Sequence, residues 1–151
     1  MTIFTRTDSE NSGFKSLVAL LDADLSIRDG DEHAFYARFN KIKTIRHSIV
    51  CYVDDKAIGC GAFKKYDGGK AEIKRMFVLP EYRGYGIGSN ILKELELWAA
   101  ELNYNECILE TGKNNPEAIN LYQQKAGYFI IPNYGQYQQV ENSVCMMKTI
   151  L

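Results

Sequence analysis

A strand, a glycine-rich loop and a helix follow one another between Lys70 and Leu102, and this arrangement constrains the fold more than any other stretch of the chain. The strand-like residues 71–79 end at Pro80, which has no N–H to donate to a sheet. The loop 83–88 reads Arg-Gly-Tyr-Gly-Ile-Gly and precedes apolar residues at helical spacing. A helix N-terminus carries unpaired N–H groups, and glycines let a phosphate approach them. The stretch therefore predicts a pyrophosphate-binding loop.

Other readings of the same loop are weaker. It could be a tight turn with no ligand. A Walker loop requires a lysine after its last glycine, whereas Ser89 follows Gly88. The dinucleotide-binding fingerprint fits in part, through Gly84, Gly86 and Ser89 in place of its third glycine.

The length and composition indicate one intracellular domain over residues 1–151. The formal net charge is −1, so we expect no nucleic-acid partner. No apolar run is long enough to span a bilayer, so we expect no membrane partner. The four cysteines form no CxxC pair, which predicts buried free thiols, no metal and a reducing cytoplasm.

Hydrophobic periodicity predicts an alternation of strands and helices along the whole chain. The first helix opens at Ser12, and a second carries Phe35, Phe39 and Ile42. The two histidines, His33 and His47, are interpreted as surface residues. Strands are predicted at 2–7, 48–53, 57–63, 70–79, 106–111, 128–131 and 144–148, and a later helix at 115–127 with Asn115 as its N-terminal cap.

Two motifs give the chain a resemblance to the GNAT superfamily of acetyl-CoA-dependent N-acetyltransferases. The first is the Arg-x-x-Gly-x-Gly loop at 83–88. The second is an Asn-x-x-Ala-x-x-Leu-Tyr pattern followed by Gly-Tyr, and it is carried by Asn115, Ala118, Leu121, Tyr122, Gly127 and Tyr128.

The resemblance implies an α/β fold with a mixed sheet of about six to seven strands, splayed between strands 4 and 5 and flanked by about four helices. Acetyl-CoA, the expected cosubstrate, would enter the opening and pair with the backbone around Met76 and Val78, and Asn115 would also contact it. The N–H group of Phe77 or Val78 would bind the oxyanion. The pyrophosphate would lie on Arg83, Gly84, Tyr85, Gly86, Ile87, Gly88 and Ser89.

Two catalytic roles follow from the same resemblance. Tyr122 would protonate the leaving thiolate, since a phenol with a pKa near 10 can serve a thiolate whose conjugate acid has a pKa near 8.5. Glu72, on the central strand, would deprotonate the amine directly or through water. Each has a structural alternative: Tyr122 as a core tyrosine, and Glu72 as the partner of a cross-strand lysine.

The acceptor is expected to be a small cationic amine or a peptide amine, recruited by an acidic connection that follows the first helix. This connection carries Asp22, Asp24, Asp29 and Asp31, although an acidic solvated loop is a sufficient explanation. Tyr134 and Tyr137 are the next candidates for acceptor contacts. A homodimer stays open, and so does a second function, a CoA-binding module or sensor without turnover.

Overall fold

The computed structural model describes residues 1–29 and 45–151, with the backbone alone at residues 28 and 29. The strands are β1 (Thr2–Thr7), β2 (His47–Val53), β3 (Lys56–Lys65), β4 (Lys70–Val78), β5 (Glu106–Gly112), β6 (Phe129–Ile131) and β7 (Ser143–Thr149). The helices of the described part are α1 (Ser12–Asp29), α2 (Ile87–Glu101) and α3 (Pro116–Asn120). The strands form one sheet in the order β1-β2-β3-β4-β5-β7-β6.

The sheet opens between its fourth and fifth strands. All neighbouring strands are antiparallel except β4 and β5, which are parallel and pair only from Lys70–Glu106 to Glu72–Ile108. Beyond Glu72 the two strands diverge and leave a wedge-shaped opening. The predicted α/β fold, with a mixed sheet splayed between strands 4 and 5, is confirmed.

A β-bulge interrupts β4 beside this opening. Ala62 pairs with Lys74 and Cys60 pairs with Phe77, so one residue of β3 lies opposite two residues of β4. Arg75 occupies the bulge with a φ of 60°, a left-handed conformation that is uncommon for a residue other than glycine. The sequence of the strand gave no sign of this bulge.

The two long helices cover the sheet. Both α1 and α2 pack against β2, β3 and β4. Helix α1 buries Phe14, Leu17, Val18 and Leu21, and α2 buries Ile91, Leu92, Leu95 and Ala99. In the described part of the chain no helix is long and apolar enough to cross a membrane.

Three sequence interpretations need correction or fall outside the described residues. Helix α1 continues to Asp29, so Asp22 and Asp24 lie on a helix and not on a connection after it. His47 is half-buried on β2 and stacks against Phe63, with ring centroids 4.8 Å apart, so its interpretation as a surface residue is wrong. The predicted second helix, His33 and Asp31 lie outside the described residues.

The helix predicted at 115–127 divides in two. The Asn115 side chain accepts a hydrogen bond from the N–H of Ala118 at 3.3 Å, which confirms the predicted cap. Regular α-helix ends at Asn120, and a π-helical turn from Leu121 to Lys125 follows it. The extra residue of a π turn was not evident in the sequence, and it shifts the direction in which the next side chains point.

Candidate active site

The opening between β4 and β5 continues into a cleft of about 380 Å³ at the start of α2. Nearly all the residues that the sequence analysis assigned to the cofactor lie on its wall. These are Met76, Phe77, Val78, Arg83, Gly84, Gly86, Ile87, Gly88, Ser89, Asn115 and Tyr122. Tyr85 is the exception, because it does not line the cleft and is 78% exposed.

The N-terminus of α2 presents free backbone donors to this cleft. Gly86 precedes the helix with a φ of 80°, and no described side chain caps the first turn or places a carboxylate in it. Gly84 and Gly86 both have positive φ, and a Cβ on either would enter open space. The loop therefore offers unpaired N–H groups, a positive dipole end and room for a phosphate.

The backbone of β4 also offers donors to the cleft. The N–H of Leu79 donates to the carbonyl oxygen of Ile58 at 2.9 Å, toward β3. Because successive N–H groups of an extended strand point to opposite sides, the N–H of Phe77 faces β3 and that of Val78 faces the opening. The carbonyl oxygen of Val78 accepts a hydrogen bond from Nε of Arg83 at 2.7 Å. Arg83 thereby connects the glycine loop to the end of β4.

A smaller cavity of about 110 Å³ adjoins the cleft. Polar side chains from the two diverging strands, Lys74, Arg75 and Glu110, lie on its wall. The two cavities have five wall residues in common, namely Leu21, Met76, Asn115, Ala118 and Tyr122. The sequence analysis had not selected Lys74, Arg75 or Glu110, because each occupies an ordinary polar position of a half-buried strand.

Tyr122 lies where the two cavities meet. It is 6% exposed, and its ring packs at 5.9 Å against that of Tyr128. Burial, together with the nearby charge of Glu110, raises the pKa of the Tyr122 phenol above its usual value. The phenol therefore remains protonated, as a proton donor must be.

Glu72 is 2% exposed and has two partners. Its Oε2 accepts a hydrogen bond from the Tyr134 hydroxyl at 2.7 Å, and Nζ of Lys64 lies 3.8 Å from Oε1. Lys64 is the residue directly opposite Glu72 on β3, so the cross-strand lysine pair considered in the sequence analysis is present. Glu72 lines neither of the two cavities.

The residues assigned to the acceptor are dispersed. Asp24 lies on the wall of the larger cleft, together with the glycine loop. Tyr137 is 1% exposed and packs beside Cys145, away from both cavities. The side chain of Asp29 lies outside the described residues. Asp22 accepts a hydrogen bond from Nη1 of Arg75 at 2.6 Å, so its charge is balanced within the fold.

The four cysteines are all buried and unpaired. Burial raises the pKa of Cys60 and of Cys107 to about 12, which keeps both thiols protonated and unreactive. Across residues 1–29 and 45–151 no three His, Cys, Asp or Glu side chains converge as they would around a metal ion.

The chain is similar to one family of known proteins and to individual proteins with solved structures. The family model described as "Acetyltransferase (GNAT) family" matches residues 14–128. The IAA acetyltransferase of Azospirillum brasilense is 36% identical over 94 residues, which are 62% of this chain. The match spans 61% of the length of that relative.

Two solved structures share the fold over essentially the whole chain. A Klebsiella pneumoniae protein assigned as an acyl-CoA N-acyltransferase superposes with a TM-score of 0.83 at 28% identity, covering 100% of this chain and 99% of its own. The PaiA N-acetyltransferase of Thermoplasma acidophilum, solved in complex with coenzyme A, superposes with a TM-score of 0.72 at 17% identity and covers 99% of both chains.

Proposed function

The chain belongs to the GNAT family of acyl-CoA-dependent acetyltransferases, and from this premise we propose that it transfers the acetyl group of acetyl-CoA to a primary amine in a ternary complex. The observation that carries the proposal is the junction at Tyr122. There a cleft lined by the glycine loop meets a second cavity, so two substrates can approach one point from different sides.

The residues of the larger cleft fit acetyl-CoA. The unpaired N–H groups of the loop from Arg83 to Ser89 would bind the pyrophosphate; the N–H of Arg83 is excepted, because it donates to the carbonyl oxygen of Pro80 at 3.2 Å. The backbone around Met76 and Val78 would pair with the pantetheine amides. Asn115 also lines this cleft. Bound acetyl-CoA would supply an acetyl group activated as a thioester.

The transfer forms a C–N bond between the amine and the acetyl carbon and breaks the C–S bond of the thioester. The N–H of Val78, which faces the opening, would hydrogen-bond the oxyanion of the tetrahedral intermediate. Tyr122 would give its proton to the departing thiolate, and the amine would lose one proton to a base.

We propose Glu72 as that base, acting at a distance. Neither Glu72 nor the Tyr134 hydroxyl that contacts it at 2.7 Å lines one of the two cavities, so the proton would reach Glu72 through water. Glu110 lines the acceptor cavity directly and is the alternative carboxylate.

The acceptor would be a small-molecule amine or the amine of a peptide. The protein would be cytoplasmic, because buried free thiols such as its four cysteines are typical of a reducing compartment. A homodimer stays a prediction.

Release of free thiol from acetyl-CoA, measured over a panel of primary amines, tests this function. We expect amine-dependent release, and we expect Tyr122→Phe to lower turnover by about 10²–10⁴-fold, because only a transition-state proton donor is lost. The affinity of the variant for acetyl-CoA, measured by calorimetry, should stay close to that of the wild type.

A matched control is Tyr104→Phe, which removes the hydroxyl of a half-buried tyrosine that packs on Phe63 outside both cavities. This variant should turn over like the wild type. Acetyl-CoA binding without thiol release for any amine would contradict the proposal and favour a CoA-binding module.

A further inference from the structure

Tyr122, the proposed proton donor, is held in place by Tyr128. The N–H of Tyr128 donates to the carbonyl oxygen of Tyr122 at 2.9 Å, and the two rings meet at 63° with their centroids 5.9 Å apart. The π turn ends between them, and Gly127, with a φ of 81°, turns the chain there. The position of the Tyr122 ring therefore depends on where Tyr128 is fixed.

Tyr128 is fixed through its hydroxyl. The residue is 2% exposed, and its hydroxyl donates to Oε2 of Glu96 at 2.9 Å. Nζ of Lys148 donates to Oε1 of the same carboxylate at 2.9 Å, so both carboxylate oxygens have a partner and the charge of Glu96 is balanced. Burial is the main cause that raises the pKa of the Tyr128 phenol, so its hydroxyl stays protonated and donates to Glu96.

Glu96 belongs to the helix that begins at the glycine loop. It is buried within α2, whose first residue is Ile87. A hydrogen-bonded helix is stiff, so the loop at its N-terminus and the carboxylate further along keep a fixed separation. One network therefore connects the helix that would bind the pyrophosphate with the residue that would protonate the thiolate.

Fold stability alone does not account for this network. A buried ion pair adds little net stability, because the free energy lost on removing two charges from water offsets most of their attraction. A hydrogen bond to a carboxylate does fix the direction and distance of its donor. Direction matters for catalysis, since a displacement of about 1 Å in a reacting group can lower a rate by about 10²-fold.

We propose that Tyr128 and Glu96 are positioning residues, which hold the phenol of Tyr122 at the junction of the two cavities so that it reaches the leaving thiolate. This inference rests on the proposed role of Tyr122 as proton donor and deepens it. The proton moves from the Tyr122 oxygen to the thiolate sulfur, and no proton passes through Tyr128 or Glu96. Neither of these two residues lines the cleft or the smaller cavity.

A double-mutant cycle on thiol release from acetyl-CoA, with the fastest amine of the panel, tests the inference. Tyr128→Phe removes one hydroxyl and leaves Glu96 paired with Lys148, so the variant should fold. We expect kcat to fall by about 10–100-fold, while the calorimetric affinity for acetyl-CoA stays that of the wild type. In Tyr122→Phe no hydroxyl remains to be positioned, so adding Tyr128→Phe should change kcat by less than about twofold.

Tyr52→Phe is the matched control. It also removes a tyrosine hydroxyl with a hydrogen-bond partner, which is Nδ2 of Asn11 at 3.2 Å, and Tyr52 lines neither the cleft nor the smaller cavity. Tyr52→Phe and Tyr128→Phe should both lower the free energy of unfolding measured in denaturant. Only Tyr128→Phe should lower kcat.

Hydrogen exchange gives a second readout, which needs no acceptor. The backbone amides of residues 121–128 should exchange faster in Tyr128→Phe than in the wild type, and at the wild-type rate in Tyr52→Phe. Unchanged exchange or unchanged kcat in Tyr128→Phe would overturn the inference and leave acetyl transfer standing. The same holds if Tyr128→Phe lowers kcat by one factor in both backgrounds. Wild-type turnover in Tyr122→Phe would contradict the donor role itself, and this inference with it.

Discussion

Two carboxylates, Glu72 and Glu110, lie on neighbouring strands at the centre of the sheet in different surroundings. Glu72 contacts Tyr134 and Lys64 and lines no cavity, whereas Glu110 lines the smaller cavity and accepts a hydrogen bond from Ser143 at 2.6 Å. Only a carboxylate that removes a proton from the amine becomes dispensable when the amine is already free.

We therefore expect Glu72→Gln to lose most of its activity near neutral pH, by about 10²–10⁴-fold, and to recover part of it at high pH. Full pH profiles of kcat/KM for Glu72→Gln and for the comparison variant Glu110→Gln would test this. A uniform loss in Glu72→Gln at every pH would make Glu72 a structural carboxylate. Recovery in Glu110→Gln instead would transfer the role to Glu110.

The same residues show where sequence reasoning succeeds and where it stops. Tyr122 could be selected because it occupies a position of a motif whose chemistry is known, and Glu72 because its place on the central strand resembles that of a glutamate in the family. Arg75 could not be selected, because its place on the wall of the smaller cavity depends on a bulge. The bulge changes the side on which the following residues of β4 point. A period of two in the sequence carries no information about a single inserted residue.

Strand β2 contacts α2 through an aromatic cluster. The ring of His47 is parallel to that of Phe63 within 3° and meets Trp98 edge-on, with ring centroids 4.8 Å apart. Burial, with a smaller contribution from the charge of Arg46, lowers the pKa of His47 below its usual value. The folded protein thus keeps this ring neutral to lower pH than the unfolded chain does.

This difference predicts a pH dependence of stability. As the pH falls through about 6.5, the unfolded chain binds a proton at residue 47 before the folded protein does, so the free energy of unfolding decreases. In His47→Phe, which keeps an aromatic ring in the cluster, that contribution is absent. Denaturant unfolding of both proteins between about pH 7 and pH 5 should show the steeper loss in the wild type. Parallel pH dependences would mean that His47 does not contribute.

The ends of helices and strands could be predicted where a residue with special backbone chemistry marks them. The glycine loop, Pro80 and the cap at Asn115 fix their elements through backbone chemistry, and the structure confirms each of these positions. The length of α1 and the π turn from Leu121 to Lys125 depend on packing against the rest of the fold. Tertiary contacts of this kind cannot be predicted from the sequence of a few neighbouring residues.

For the whole molecule, the functional site is a consequence of how the sheet is assembled. Three residue pairs hold β4 to β5, and beyond them the strands separate, so the end of β4, the glycine loop and the π turn surround one cleft. The resemblance to the GNAT superfamily allowed this splay to be expected. The grouping of residues around the smaller cavity could not be predicted, because they come from segments that are distant in the sequence.

The central claim is that acetyl-CoA binds with its pyrophosphate on the loop from Arg83 to Ser89, and the calorimetric affinity of Gly86→Val for acetyl-CoA tests it most directly. A valine at this position would project into the open space that the pyrophosphate needs, and it would also strain a residue whose φ is 80°. Gly68→Val is the matched control, because Gly68 also has a positive φ and open space around it but lies in the turn before β4. We predict that binding is abolished in a folded Gly86→Val protein and unchanged in Gly68→Val. An unchanged affinity in Gly86→Val would contradict the claim.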